Sequence, residues 1–455
     1  MAPGLPAFLL AARANHSLVA RIAAVQALAL LATAYVRSVV ADPKRTHGAR
    51  LAAAIPALVF YAVAPLAFDP ATEIMTLSVI ALSLPWLAAF KTVGAALDRG
   101  PLAPASAGRW TFAQTAFVLG LPVTPQETKP EGAGRRSGWG RRRDRDAAEP
   151  QRVLPPSAAP ASGRATRSTT AMHRVPSRSR VFEAMPAEAS TRARHMAGKL
   201  ALLTCTCGGL SASAFPPGYP TAVAYIFGLY ALLGVIMDGP AAAAAAAVGI
   251  RMSPHFDAPF LSSSLADLWS RRWNLVAGHS LRFLVYDIVA EGRLAAAPRG
   301  GPPARVSRAR RLVAMTAAFV GSGVMHEILL LYVMVCVAVG RGREEGRASA
   351  RHRPPLLPLP PQPGFCPYSG YWFVYFTSQA LGLIAEGALA RAWTARGLPP
   401  SPRWLAVPAV VGSGLLWAHW LFLPPVHNTT LGARVLDSLD GSARWIVGAL
   451  SGGKR

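Results

Sequence analysis

The residues best suited to chemistry lie inside an apolar run. The stretch Gly321-Ser322-Gly323-Val324-Met325-His326-Glu327-Ile328-Leu329-Leu330 sets a His-Glu pair in a segment otherwise fit to cross a bilayer. Ionisable groups are costly there and ordinarily face a partner or an internal cavity. An imidazole can act as a general base near neutral pH. The glycines just before it let another helix or an acyl chain come close. A second reading gives His326 only a hydrogen bond to a neighbouring helix. Glu327 could set the tautomer of His326, although adjacent residues on a helix point in different directions. A zinc site of the HExxH type needs a histidine at position 330, where Leu330 stands. A dinucleotide loop is excluded too, because no strand precedes these glycines.

A second constellation is Asp267-Leu268-Trp269-Ser270-Arg271-Arg272-Trp273-Asn274, continuing through His279, Arg282 and Tyr286-Asp287. Mixed Trp, Arg and Tyr suit a membrane interface. Periodicity favours an anchoring amphipathic helix, with Trp269 and Trp273 spaced i, i+4 on one face. The functional reading has Asn274 aim its amide into a site while Arg271 or Arg272 meets an anionic group. His419, Trp417 and Glu386 could line a cavity; each is read first as a structural partner or a helix-end residue.

These residues need apolar elements to hold them, and the composition supplies them. Of 455 residues, 52% are hydrophobic and only 15% charged, below the quarter usual in soluble domains. The net charge of +25 alone would suggest a nucleic-acid binder, but the apolar residues come in blocks of bilayer-spanning length. That hydrophobicity also excludes a disordered polycation over most of the chain. Cys205, Cys207, Cys336 and Cys366 have neither zinc-site nor CxxC spacing, and a disulfide-stapled secreted domain is not indicated. No metal is expected.

With about 20 apolar residues needed per crossing, eight spans are expected: 18–40, 51–68, 74–97, 197–215, 221–237, 312–339, 371–389 and 404–423. The first is too long for a signal-peptide core and is read as a retained helix. The run Ala241 to Ala247 reads as a short helix beside the membrane. This gives three N-terminal spans in 1–120, a disordered basic linker over 121–195, and a five-span core over 196–455 with interfacial residues 255–290 and a low-complexity loop at 340–367. The linker holds fifteen basic and seven acidic residues. With eight spans, the basic loops 41–50, 98–196, 251–311 and 390–403 share one side, which the positive-inside rule makes cytoplasmic; the basic loop 340–367 falls on the other.

Together, Leu268-Trp269-Ser270-Arg271-Arg272-Trp273-Asn274 and, some fifty residues on, Ser322-Gly323-Val324-Met325-His326-Glu327 resemble the plant-type wax synthase branch of the membrane-bound O-acyltransferase family. Trp86-Leu87-Ala88-Ala89-Phe90-Lys91, Asp98-Arg99-Gly100-Pro101-Leu102, Leu121-Pro122-Val123 and Phe256-Asp257-Ala258-Pro259-Phe260-Leu261 agree with it. The similarity covers most of 50–120 and 196–425. Two departures are mild: Leu268-Trp269-Ser270 stands where the family has Phe-Trp-Gly, and Ile288 where it has Pro. Relatives are shorter at 125–195 and 341–366, so these read as insertions, either genuine low-complexity loops or unspliced sequence.

The resemblance implies an all-α polytopic fold around an intramembrane catalytic tunnel. It also implies fatty acyl transfer from acyl-CoA to a long-chain alcohol, giving a wax ester, in the endoplasmic reticulum membrane. His326 is then the general base and Asn274 the second catalytic residue. Arg271 and Arg272 are partners for the CoA phosphates, with Trp269 and Trp273 beside them. No cofactor is implied, since acyl-CoA is a substrate; the partners are acyl-CoA, a long-chain alcohol or sterol, and the bilayer, with no nucleic acid. A sterol acceptor is the alternative, and no residue separates the two. A transporter or inactive scaffold is a further reading, against which the retention of both His326 and Asn274 argues.

Overall fold

The computed structural model describes residues 13, 15–104, 110–125, 185–250, 252–297, 306–334, 370–429 and 431–450. The chain divides into two compact units, Gln126–Ser190 and the remainder. Only the helical residues 185–190 of the first are described, and every candidate site residue belongs to the second. The loop expected at 340–367 lies outside the described residues, as does the expected linker between 126 and 184. Its last residues, 185–195, are helical.

In chain order the helices are α1 (Leu18–Val40), α2 (His47–Ala67), α3 (Ile74–Ala96), α4 (Phe112–Gly120), α5 (Met185–Ser211), α6 (Tyr219–Val248), α7 (Leu275–Leu281), α8 (Arg308–Met334), α9 (Tyr371–Ala395), α10 (Arg403–Phe422) and α11 (Leu431–Leu450). Seven of them, α1 to α3, α6 and α8 to α10, are long and apolar enough to cross a bilayer. The chain is an all-α polytopic membrane protein; among the described residues the one β-type contact is an isolated bridge between Pro125 and Met252.

Seven rather than eight helices qualify because the segment expected at 197–215 is part of α5, whose Arg192, Arg194 and Lys199 interrupt the apolar run. It nonetheless lies antiparallel along α6. Lys199 pairs with Asp238, and Thr206 lies against Gly228. The alanine run is a second difference. It continues α6 through Pro240 instead of forming a separate helix.

Local signals set the helix ends. Ser17 and Thr46 cap α1 and α2 by accepting from the N–H groups of Ala20 and Ala49. Thr111 and Gln114 form a reciprocal capping box on α4. Ion pairs then tie helix ends together. Arg21 on α1 grips Glu73 at 2.5 Å, and Arg50 on α2 holds Asp98 just past α3 at 2.8 Å, with His47 on the same carboxylate at 2.7 Å.

Helix α3 is the most enclosed span, with over half of its apolar window buried against 6% for α10. Trp404, Leu405, Leu416 and Trp420 of α10 are exposed, as suits a helix facing lipid. Within α3, Pro85 lacks the N–H that an α-turn needs, and Leu82–Ala88 runs as a wider π-turn. Lys91, one turn later, is buried and donates to the carbonyls of Val118 at 2.5 Å and Leu121 at 2.8 Å. This places the Lys91 amine at the C-terminal end of α4, where the last carbonyls lack partners within the helix.

Candidate active site

His326 sits on α8 where α3 and α9 close over it. Its Nδ1 lies 2.7 Å from the carbonyl of Ser322, one turn back. A carbonyl only accepts, so Nδ1 carries a proton, and in the neutral imidazole Nε2 then keeps its lone pair. Nε2 makes no hydrogen bond among the described residues. Phe376 of α9 stacks on the imidazole at 3.9 Å, and the rings of Trp86 and Trp372 meet it edge-on at 4.9 and 6.1 Å. Aromatic rings thus border an imidazole whose Nε2 is free of hydrogen bonds among the described residues.

Gly323 makes this closeness possible. A Cβ there would stand 3.0 Å from the Cα of Phe373 and 3.1 Å from its carbonyl oxygen, so a larger residue would push α9 away from α8. Glu327 completes the grip. Its Oε1 accepts from the backbone N–H groups of Trp372 at 3.0 Å and Phe373 at 3.1 Å. Both are donors that the first turn of α9 leaves unsatisfied. Glu327 is therefore engaged with α9, and the partner that sets the tautomer of His326 is the Ser322 carbonyl. Glu386 serves the same purpose elsewhere, accepting from the N–H groups of Leu265 at 2.7 Å and Ala266 at 3.1 Å.

The Trp-Asn block is not one continuous amphipathic helix. Leu265–Asp267 opens into a π-turn over Leu268–Arg272, and the chain turns sharply before α7. Asn274 makes that turn, with φ 41° and ψ 61°. Asparagine is among the few non-glycine residues that tolerate this left-handed region. Its Oδ1 accepts from Ala277 N–H at 3.3 Å, which caps α7 and leaves the amide NH2 without a partner among the described residues. The next turn, Val276 and Ala277, packs with Trp86, Leu87 and Met325, so α7 reaches the layer of His326.

Trp269 joins the block to the base. Its ring meets Phe376 at 6.1 Å, Phe319 at 5.6 Å and Trp273 at 6.4 Å, and its Nε1 donates to Gln379 Oε1 at 3.2 Å. Trp273 in turn packs on Phe256 at 5.2 Å. The two arginines differ. Arg272 is held by Asp267 at 2.7 Å and by the carbonyls of Asp257 and Ala258 at 3.1 and 3.3 Å, whereas Arg271 is exposed. Trp417 of α10 lies against Gly382 of α9, and the Nδ1 atom of His419 is buried with no hydrogen-bond partner.

Sequence reading missed one cluster. His255 is fully buried, with Nδ1 2.7 Å from Asp238 and Nε2 donating to the Pro122 carbonyl. Asp238 also pairs with Lys199. The available signal was two opposite charges in successive apolar segments, which must find each other to be buried.

Residues 252–340, which contain both Asn274 and His326, match the sequence model of the membrane bound O-acyl transferase family. Acyl-CoA–sterol O-acyltransferase 1 of Arabidopsis thaliana is 35% identical over 213 residues, covering 47% of this chain and 50% of its own. Long-chain-alcohol O-fatty-acyltransferase of Simmondsia chinensis is 26% identical over 223 residues (49% and 51%). Probable long-chain-alcohol O-fatty-acyltransferase 7 of Arabidopsis thaliana is 27% identical over 195 residues (42% and 45%). The chain spans about half the length of these curated relatives. The resemblance read from the Trp-Asn and His-Glu blocks is thereby borne out.

Proposed function

From that family match as premise, we propose that the chain is an acyl-CoA-dependent O-acyltransferase of the endoplasmic reticulum membrane that esterifies a long-chain alcohol, with His326 as general base. The observation that carries this is the state of the imidazole. Ser322 fixes the proton on Nδ1 and leaves Nε2 open in an aromatic enclosure. A hydroxyl is a poor nucleophile until its proton leaves, and Nε2 is the atom to take it. The alcohol oxygen bonds to the thioester carbon, the carbon–sulfur bond breaks, and the proton passes from Nε2 to the departing sulfur. No covalent acyl-enzyme is needed.

Asn274 offers its free amide NH2 to the reactants while its Oδ1 stays on Ala277. Arg271, exposed beside the block, is the better of the two arginines for the CoA phosphates, because Arg272 is already engaged. The apolar rings of Trp269 and Trp273 suit the acyl chain. A sterol acceptor is the second reading, favoured by the 35% identity to a sterol O-acyltransferase.

The test is expression in microsomes lacking neutral-lipid acyltransferases, with labelled acyl-CoA and either long-chain alcohols or sterols. Wax ester formed by the wild type and lost in His326→Ala is the expected result. Ester from sterol alone would move the assignment to the second reading, and no ester from either acceptor would favour an inactive scaffold.

A further inference from the structure

Two buried N–H donors in the ring assembly around His326 have no acceptor among the described residues. Trp86 is 2% exposed, and its Nε1 makes no hydrogen bond; Gln379 is 1% exposed, and its Nε2 makes none either. The orientation of the Gln379 amide follows from chemistry. The indole N–H of Trp269 only donates, so the atom it meets at 3.2 Å must be Oε1, and the orphan is the NH2 group. Buried donors are nearly always satisfied, and each one left empty is costly. Here two such donors occur in the same ring assembly. Trp86 borders the imidazole at 4.9 Å. Gln379 lies three residues beyond Phe376, hence on the same face of α9, and Phe376 covers the imidazole at 3.9 Å.

We infer that Trp86 Nε1–H and Gln379 Nε2–H are the donors for the thioester carbonyl oxygen of the acyl-CoA, an inference that rests on the acyl-transfer reading above. Donor chemistry decides which reactant they serve. The alcohol must face Nε2 of His326, an acceptor, and a donor placed on the alcohol oxygen would weaken it as a nucleophile. The carbonyl oxygen has the opposite need. As the alcohol oxygen bonds to carbon, the C=O π pair moves onto this oxygen. It returns when the carbon–sulfur bond breaks and the sulfur takes the proton held on Nε2. Donors held fixed by the fold stabilise that transient charge strongly, because they need no reorganisation as it develops. The π-turn at Leu82–Ala88 and the Trp269–Gln379 bond are then the devices that aim the two donors.

The experiment uses the full chain in detergent micelles with two inert acyl-CoA analogues. In the ketone, sulfur is replaced by CH2 and the carbonyl is kept; in the thioether, sulfur is kept and the carbonyl is replaced by CH2. Trp86→Phe removes one donor and keeps an aromatic ring; Gln379→Met removes the other donor together with the acceptor for Trp269 Nε1. Expected are a weaker affinity for the ketone, on the order of tenfold per variant, unchanged affinity for the thioether, and kcat lower by roughly 100-fold. Retained thioether affinity also shows that the variants are folded. Equal loss for both analogues, or unchanged kcat in both variants, would overturn the proposal and make the donors structural. Failure of the wild type to bind either analogue would overturn the acyl-CoA reading itself, and this proposal with it.

Discussion

Two of the histidines inside the helical bundle, His255 and His326, are built differently. His255 has both ring nitrogens engaged, one by Asp238 and one by the Pro122 carbonyl, and it draws Lys199 into the same cluster. His326 has one nitrogen engaged by Ser322, aromatic rings on several sides and no charged partner on its ring. The first arrangement occupies both ring nitrogens and ties α5, α6 and the segment before Asn274 together. The second keeps one lone pair in reserve. Enclosure of a histidine therefore says little about chemistry until its two nitrogens are accounted for separately.

The contrast can be broken at its strongest point first. His326→Ala should lower ester formation by about 10²–10⁴-fold with little change in the thermal unfolding of the purified protein; a variant that unfolds instead would make His326 structural. His255→Ala should show the reverse, losing about 3 kcal/mol or more of stability because Asp238 and Lys199 are left without their third member. Full activity and an unchanged melting temperature would remove His255 from the framework.

Asn274 sharpens the comparison, since its side chain has one structural atom and one free group. Asn274→Asp keeps the acceptor that caps α7 and loses the NH2, so activity should drop by about 100-fold while unfolding is unmoved. Glu327→Gln keeps an acceptor for the start of α9 but loses its charge. A cost of about 1 kcal/mol and a few-fold fall in rate are expected; a loss as large as that of His326→Ala would give Glu327 a chemical role.

The smallest effect concerns pH. Burial pushes the Asp98 carboxyl up, but the hydrogen bonds and charges of Arg50 and His47 outweigh it and hold the group below its usual value. Burial likewise pushes Glu73 up, and Arg21 with the Asp69 N–H brings it below. Such groups contribute stability that is complete above the ordinary carboxylate range and is lost as pH falls through the depressed values. Melting temperature should stay flat from neutral pH down to that range and decline below it, less steeply in Asp98→Asn.

How much the sequence revealed depends on the range of each interaction. His326 was legible because a titratable residue in an apolar run is rare, and the spans because their period and length are local properties. Glu327 was not legible as a cap, since its partners lie 45 and 46 residues ahead. Lys199 and Asp238 lie 39 residues apart, and only their pairing explains how each is accommodated among apolar helices. The span expected over 221–237 and the short helix expected over 241–247 are one helix, because α6 passes through Pro240. Arg271 and Arg272 looked equivalent, and only the positions of Asp267 and two carbonyls set them apart.

The clasp between Glu327 and the first turn of α9 has a consequence for how such a chain can vary. Because α8 and α9 are fastened directly, by a carboxylate on two amides and by Gly323 against Phe373, the segment joining Met334 to Gly370 is relieved of holding them in register. Loop-closure entropy rises only with the logarithm of length, so that connection can grow, shrink or change composition across generations while the neighbouring base keeps its place.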